Sequence, residues 1–291
     1  MSNTYPGGKA RLYQWLINHI PPHDTYIATH LGHDAIMRFK RPARSNIGID
    51  ADVEVIDWWA RWDPTAGDID ADDEAAAPPA TPRMASTAQD NGEGLHHQPQ
   101  RYLPARTVNH NDMARAQRAP ATYRNGDAQY TFIHADAHQW LRYHYHSVIT
   151  GNEFVYSDPP YLFVTRKQRN RPLYNHEYTV AQHVDLLSLL KALPCPVMIS
   201  GYESDIYNDM LAGWHKDTIN TTTRGGTPAT EVIWMNYPPP TALHDYRYLG
   251  EGYRERERIK KLKRRWVTRW KNMSTLQRQA VLAAIQEANQ C

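Results

Sequence analysis

The feature that most constrains this chain is an alternation. Short apolar runs, most of them closing on a glycine or an acid, are separated by helical stretches. The runs are Thr25 to Leu31 leading into Gly32, Asn46-Ile47-Gly48-Ile49 ending at Asp50, Tyr130 to His134 followed by Asp136, Phe154-Val155-Tyr156 ending at Ser157-Asp158, and Val197 to Ser200. Between them, Leu12, Trp15, Leu16, His19 and Ile20 recur at helical spacing before Pro21-Pro22. Asp34 to Phe39 opens a second helix, and Val184, Leu187, Leu190 and Leu193 mark an amphipathic helix over 179–193. Strands alternating with helices run parallel, because a parallel pair needs a crossover and a helix supplies it. The expected fold is therefore α/β, a Rossmann-like three-layer arrangement with a mainly parallel sheet. A late hairpin adds an antiparallel edge: threonine-rich 218–223 and alternating 230–236 flank Arg224-Gly225-Gly226, and two glycines suit a primed turn. Sheets of this kind bind ligands at the carboxyl ends of their strands. Gly32, Asp50, Asp136 and Asp158 are the residues placed there.

Residues 63–125 break the pattern. They hold an acidic run (Asp68, Asp70, Asp72, Asp73, Glu74), then Ala-Pro stretches, then a His/Gln/Asn-rich mixture with few large apolar residues. Such a composition buries too little to offset the entropy of ordering, so a disordered insertion is expected. The reading is a catalytic domain over 1–62 and 126–240, the insertion at 63–125, and a basic helical extension over 241–291. That extension predicts a charged helix at about 252–271. A last helix follows, opened by a capping box of Ser274 and Gln277.

Charge is distributed unevenly. The 291 residues carry 33 Lys+Arg and 31 Asp+Glu, a net +2 that by itself argues against a polyanionic partner. Residues 251–278 alone carry +8, however, and the rest of the chain −6. The two cysteines exclude a disulfide scaffold and a multi-cysteine zinc site. Cys195, between two prolines, reads as a buried inert thiol. The fifteen histidines are scattered, and no metal is expected. No apolar run is long enough to span a bilayer, so no membrane is expected and the cytoplasm is the expected compartment.

The sharpest chemistry is Asp158-Pro159-Pro160-Tyr161. A strand delivers a carboxylate, two prolines that stiffen the turn and an aromatic ring. A carboxylate and a backbone carbonyl accept both hydrogens of an exocyclic amino group, and Tyr161 stacks on the ring that bears it. This motif resembles the catalytic motif of amino-directed DNA methyltransferases, and Tyr5-Pro6-Gly7-Gly8-Lys9 before a helix resembles the N-terminal motif of the Dam-type adenine-N6 group. The motifs stand in the family's order, and the resemblance spans roughly 1–60 and 130–240. It implies a methyltransferase fold, S-adenosylmethionine as cofactor, and double-stranded DNA as partner in a bacterial or phage setting. It implies cofactor contacts at Tyr5, Gly8, Lys9, Gly32, Asp50, Asp136 and Asp158, with Lys9 on the cofactor's carboxylate, Asp50 on its ribose and Asp136 on its adenine amino group. It implies that Asp158, Pro159, Pro160 and Tyr161 hold a target adenine flipped from the duplex. Without the resemblance, Asp50 and Asp136 read equally as helix caps. One departure is clear: of the family's Phe-x-Gly-x-Gly loop only Gly32 remains in Thr29-His30-Leu31-Gly32-His33-Asp34.

The basic groups suit a phosphate backbone. They are Arg166, Lys167, Arg169 and Arg171 after the motif, Arg224 in the hairpin turn, and Lys260, Lys261, Lys263, Arg264 and Arg265 in the charged helix. Trp266 and Trp270 lie four apart on that helix and either dock it or leave it to bind nucleic acid. The alternatives are methylation of RNA adenine or of the cytosine amino group, and a non-catalytic DNA-binding relative that has lost the cofactor.

Overall fold

The computed structural model describes residues 9–63, 120–148, 150–165, 175–222 and 228–289, which belong to one compact unit. Tyr5, Gly8, Arg166, Lys167, Arg169, Arg171, Arg224 and nearly all of the expected insertion lie outside the described residues. Eight strands form one sheet: β1 (Thr25–Ala28), β2 (Ser45–Asp50), β3 (Ala121–Asn125), β4 (Ala128–His134), β5 (Glu153–Ser157), β6 (Val197–Gly201), β7 (His215–Thr222) and β8 (Pro228–Met235). Their spatial order is β3-β4-β2-β1-β5-β6-β8-β7. The five inner strands from β4 to β6 run parallel, while β3, β8 and β7 pair antiparallel with their neighbours.

Alternation along each strand divides the core between the two faces. Tyr26, Ala28, Phe154, Tyr156 and Met198 belong to one cluster with Leu16, Ile17, Ile36 and Trp59. These last come from α1 (Tyr13–Ile17), α2 (Ala35–Phe39) and α3 (Val53–Trp59). Ile27, Val155, Val197 and Ile199 belong to the other cluster, with Trp140, Leu141, Leu186, Leu190 and Tyr207. Those come from α4 (Ala137–Val148), α5 (Val180–Lys191) and α6 (Asp205–Met210). The result is the expected three-layer, Rossmann-like α/β arrangement, with a mainly parallel sheet and an antiparallel hairpin at one side. β5 and β6 are buried at every position, as strands covered on both faces must be. Side-chain caps fix where the helices begin. Asp34 accepts from the Ile36 amide and Asp52 from that of Glu54, Thr179 and Gln182 form a capping box, and Ser204 accepts from the Tyr207 amide.

The structure departs from the sequence expectation in four places. Ala121–Asn125, assigned to the insertion, is an edge strand registered on β4 from Ala121↔Phe132 to Asn125↔Ala128. α3 was missed, and α1 is a five-residue helix rather than one reaching Ile20. The first residues of the expected extension belong to the core: Leu243, His244 and Asp245 are buried, the His244 amide donates to Ile20 O, and Asp245 accepts from the Arg41 amide. The charged helix is α7 (Tyr253–Asn272), followed by α8 (Thr275–Ala288), whose capping box of Ser274 and Gln277 is present. Neither helix has a buried residue, and Trp266 is 53% exposed, so it does not dock α7. Among the described residues no helix is long and apolar enough to cross a membrane.

Candidate active site

From β1 the chain proceeds to β2 and β4 on one side, then returns to place β5 and β6 on the other. The reversal leaves a crevice beyond the carboxyl ends of β1, β2 and β5. A cleft of about 780 Å³, counted with its open mouth, fills that place. Its walls are Lys9, the loop 29–34, Asp50 to Asp52, Ala137, Tyr156, Asp158, Pro160 and the segment around Tyr178.

The loop after β1 is anchored from below. Leu31 N donates to Ile49 O, the Gly32 amide donates to Asp50 Oδ2 at 2.8 Å, and Trp59 Nε1 donates to Gly32 O at 2.7 Å. Gly32 has φ +41°, which a residue without Cβ adopts at little cost. Gly48 is needed for a different reason: a Cβ there would meet Leu31 Cδ2 at 2.6 Å. This glycine lets the loop lie close over β2. Asp50 also accepts from the Asp52 amide at 2.8 Å, and Asp52 rather than Asp50 caps α3. Burial pushes the Asp50 carboxyl up to about 6, against the pull of those two amide bonds.

Asp34 is a second buried acid on the cleft wall, receiving the Tyr26 hydroxyl at 2.7 Å and pushed up to about 6 by burial. Sequence reasoning took it only as a helix start. His30 stands two residues before Gly32, where the resembled loop pattern has its other glycine. Its Nδ1 lies 2.9 Å from Thr29 Oγ1 and its Nε2 3.0 Å from the Tyr178 hydroxyl, and burial lowers it to about 3, so it is a neutral wall. Asp136 falls outside the cleft lining and acts as the helix cap that the residues alone allowed. It accepts from the Gln139 amide at 3.1 Å and pairs with His138 Nδ1 at 3.5 Å. Burial raises its carboxyl, but the bonds to His138 and Gln139 prevail and hold it below the usual carboxylate range.

At the other end of the cleft, β5 delivers Asp158. Lys9 Nζ donates to both its oxygens at 2.8 Å, and Ser200 Oγ donates to Oδ1 at 2.8 Å. Tyr156 OH lies 2.8 Å from Ser200 Oγ, which ties β5 to β6 behind the carboxylate. Pro159 is buried and Pro160 lines the cleft. Tyr161 is 9% exposed, its ring set edge-on to Tyr202 with centroids 4.5 Å apart. Its hydroxyl donates to Glu231, and Lys9 Nζ also donates to that hydroxyl. Glu231 Oε1 lies 3.2 Å from Lys9 Nζ. Burial lowers the Lys9 ammonium, but Asp158 and Glu231 together outweigh it and hold the group well above the usual lysine range. Lys9 thus belongs to the Asp158 corner here, whereas the resemblance put it on a cofactor carboxylate. Ser200 and Glu231 went unassigned from sequence. Each sits on a strand whose pattern was read for burial alone, and only the register Ser200↔Ile233 brings β8 beside the end of β6.

Lys260, Lys261, Lys263, Arg264 and Arg265 are all exposed on α7, where Lys263 Nζ donates to Tyr246 O and Lys260 pairs with Glu257. Cys195 is a buried free thiol that burial pushes up to about 12. Among the described residues no three of His, Cys, Asp and Glu gather as a metal site requires.

No protein-family model matches the chain, and no curated protein matches it. Among solved structures it is similar to the crystal structure of a proposed RNA methyltransferase from Pyrococcus horikoshii. The identity is 9% and the TM-score 0.33, over 78% of this chain and 79% of that one.

Proposed function

We propose that the protein transfers a methyl group from S-adenosylmethionine to the N6 amino group of adenine in DNA. The observation that carries this reading is one cleft with two different ends. An anchored acid, Asp50, stands at one end beside the positive-φ Gly32, and the acceptor corner of Asp158 and Pro160 stands at the other. The residues fit the cofactor on charge. Among the described residues, four carboxylates (Asp34, Asp50, Asp52, Asp158) against the one ammonium of Lys9 line the cleft, a balance that favours a cationic sulfonium and disfavours a dinucleotide pyrophosphate.

When bound, the cofactor supplies an electrophilic methyl group. Asp50 keeps lone pairs for ribose hydroxyls beyond the two amide bonds it already accepts. Asp158 and the Pro159 carbonyl accept the two amino hydrogens of the target adenine and leave its nitrogen lone pair aimed along the cleft. These two acceptors would orient the nitrogen for in-line transfer of the cofactor's methyl group, and the proton that the nitrogen loses would pass to solvent at the cleft mouth. Positioning and fixed dipoles supply most of the acceleration. The base must leave the duplex to reach the corner, and phosphate contacts from α7 hold the strand.

The test is incubation of the protein with labelled S-adenosylmethionine and either unmethylated plasmid DNA or RNA, followed by identification of the methylated base. N6-methyladenine in DNA is expected from the wild type and none from Asp158→Ala, which remains folded. Full activity in that variant, or label found only in RNA or on cytosine, overturns the reading.

A further inference from the structure

Glu231 is 4% exposed, and its carboxylate lies against the groups that hold Asp158. Lys9 Nζ is 2.8 Å from both Asp158 oxygens and 3.2 Å from Glu231 Oε1, and the Tyr161 hydroxyl donates to that same Glu231 oxygen. Ser200 holds a third site on Asp158. A carboxylate has about four lone-pair sites, so Lys9 and Ser200 occupy most of what Asp158 can give. An adenine amino group is neutral and competes poorly with an ammonium for a carboxylate. An ammonium left there would also oppose the positive charge that grows on the amino nitrogen during attack. Lys9 must therefore yield Asp158 to the base. Being buried, it cannot do so without another anion. Among the described residues, Glu231 is a carboxylate within reach, with Oε1 3.2 Å from Nζ.

We infer that Glu231 is a positioning residue, taking the Lys9 ammonium when the amino group of the target base claims Asp158. The inference rests on the reading of Asp158 as the acceptor of that amino group. The exchange breaks no covalent bond and moves no proton. Lys9 remains an ammonium throughout and changes only which carboxylate it favours. Tyr161, bonded to Glu231 through its hydroxyl, keeps its ring in place while Lys9 shifts.

The experiment compares wild type, Glu231→Gln, Glu231→Asp, Asp158→Asn and the double variant Asp158→Asn with Glu231→Gln, by Tm and by steady-state methylation of plasmid DNA. Glu231→Gln is expected to stay folded, because Asp158 still pairs Lys9. Its kcat falls roughly tenfold or more, with KM for S-adenosylmethionine changed by no more than about twofold. Glu231→Asp recovers part of the loss. The double variant loses more in Tm than the two singles combined, because Lys9 then has neither carboxylate. An additive Tm cycle, or wild-type kcat in Glu231→Gln, overturns the inference and leaves the methyltransferase reading intact. A wild-type protein that transfers no methyl group to DNA or RNA overturns both.

Discussion

Gly48→Ala is the substitution for which the structure gives the firmest expectation. The added Cβ would lie 2.6 Å from Leu31 Cδ2, 2.7 Å from Cδ1 and 3.1 Å from Cγ, so the whole isobutyl group is in the way. Leu31 is 1% exposed and its amide is held by Ile49 O, so the backbone is fixed and the side chain must shift to admit the methyl group. Overpacking of this kind costs about 1–3 kcal/mol. The strain has one outlet, the loop above, and that loop carries Gly32 and its bond to Asp50. Urea denaturation should therefore show a loss of about 1–3 kcal/mol. Titration calorimetry should show a loss of S-adenosylmethionine affinity alongside it. Leu31→Ala alone should cost about 2–5 kcal/mol by leaving a cavity. Combined with Gly48→Ala, the two losses should fall short of their sum, since the new methyl group enters the vacated space. If Gly48→Ala is neutral, or if the two losses add, the close approach of Leu31 to β2 is not what requires glycine there.

Other expectations concern charge. Asp50 titrates at about 6 by virtue of its burial, and its ionised form is the better acceptor for ribose hydroxyls, so cofactor affinity should fall by up to about tenfold per pH unit below that point. Asp50→Asn should flatten the dependence in calorimetry between pH 5 and 8. The raised carboxyl has the opposite sign for the unliganded fold: its contribution to stability is present below about 4 and is lost as pH rises through about 6. His244, stacked on His23 with centroids 3.9 Å apart, is lowered to about 4 first by burial and then by Lys40. Its contribution to stability is present above about 6.5 and lost as pH falls through about 4. It amounts to on the order of 1–2 kcal/mol after screening, and His244→Asn should remove that part of the acid sensitivity. Charge reversal at Lys260, Lys261, Arg264 and Arg265 should leave Tm nearly unchanged, because α7 buries nothing. It should weaken DNA binding and lower the salt slope by about 0.9 for each phosphate no longer neutralised.

What was legible in the sequence was whatever the chain writes locally. Asp50 and Asp158 end apolar strands, and the structure sets both on one cleft with Lys9 and Gly32. Asp136 looked the same in sequence but caps α4, its carboxylate taken by the Gln139 amide and His138. β3 was hidden by its exposed middle, since an edge strand with one wet face carries no apolar run. α3 was hidden by its brevity. The partnership of Lys9, Asp158 and Glu231 had no local signature at all: the three are brought together only by the strand order, across separations that no periodicity reports.

That strand order also sets when the centre can exist. β8 lies between β6 and β7 although it is the last of the described strands in chain order, so β6, buried at every position in the finished sheet, has an unpaired edge until residues 228–235 have emerged. Open edges of this kind invite pairing with other chains. The same hairpin brings Glu231, so the segment that closes the sheet also completes the environment of Lys9. During synthesis, the hairpin that covers the edge of β6 and the carboxylate that faces Lys9 therefore arrive together.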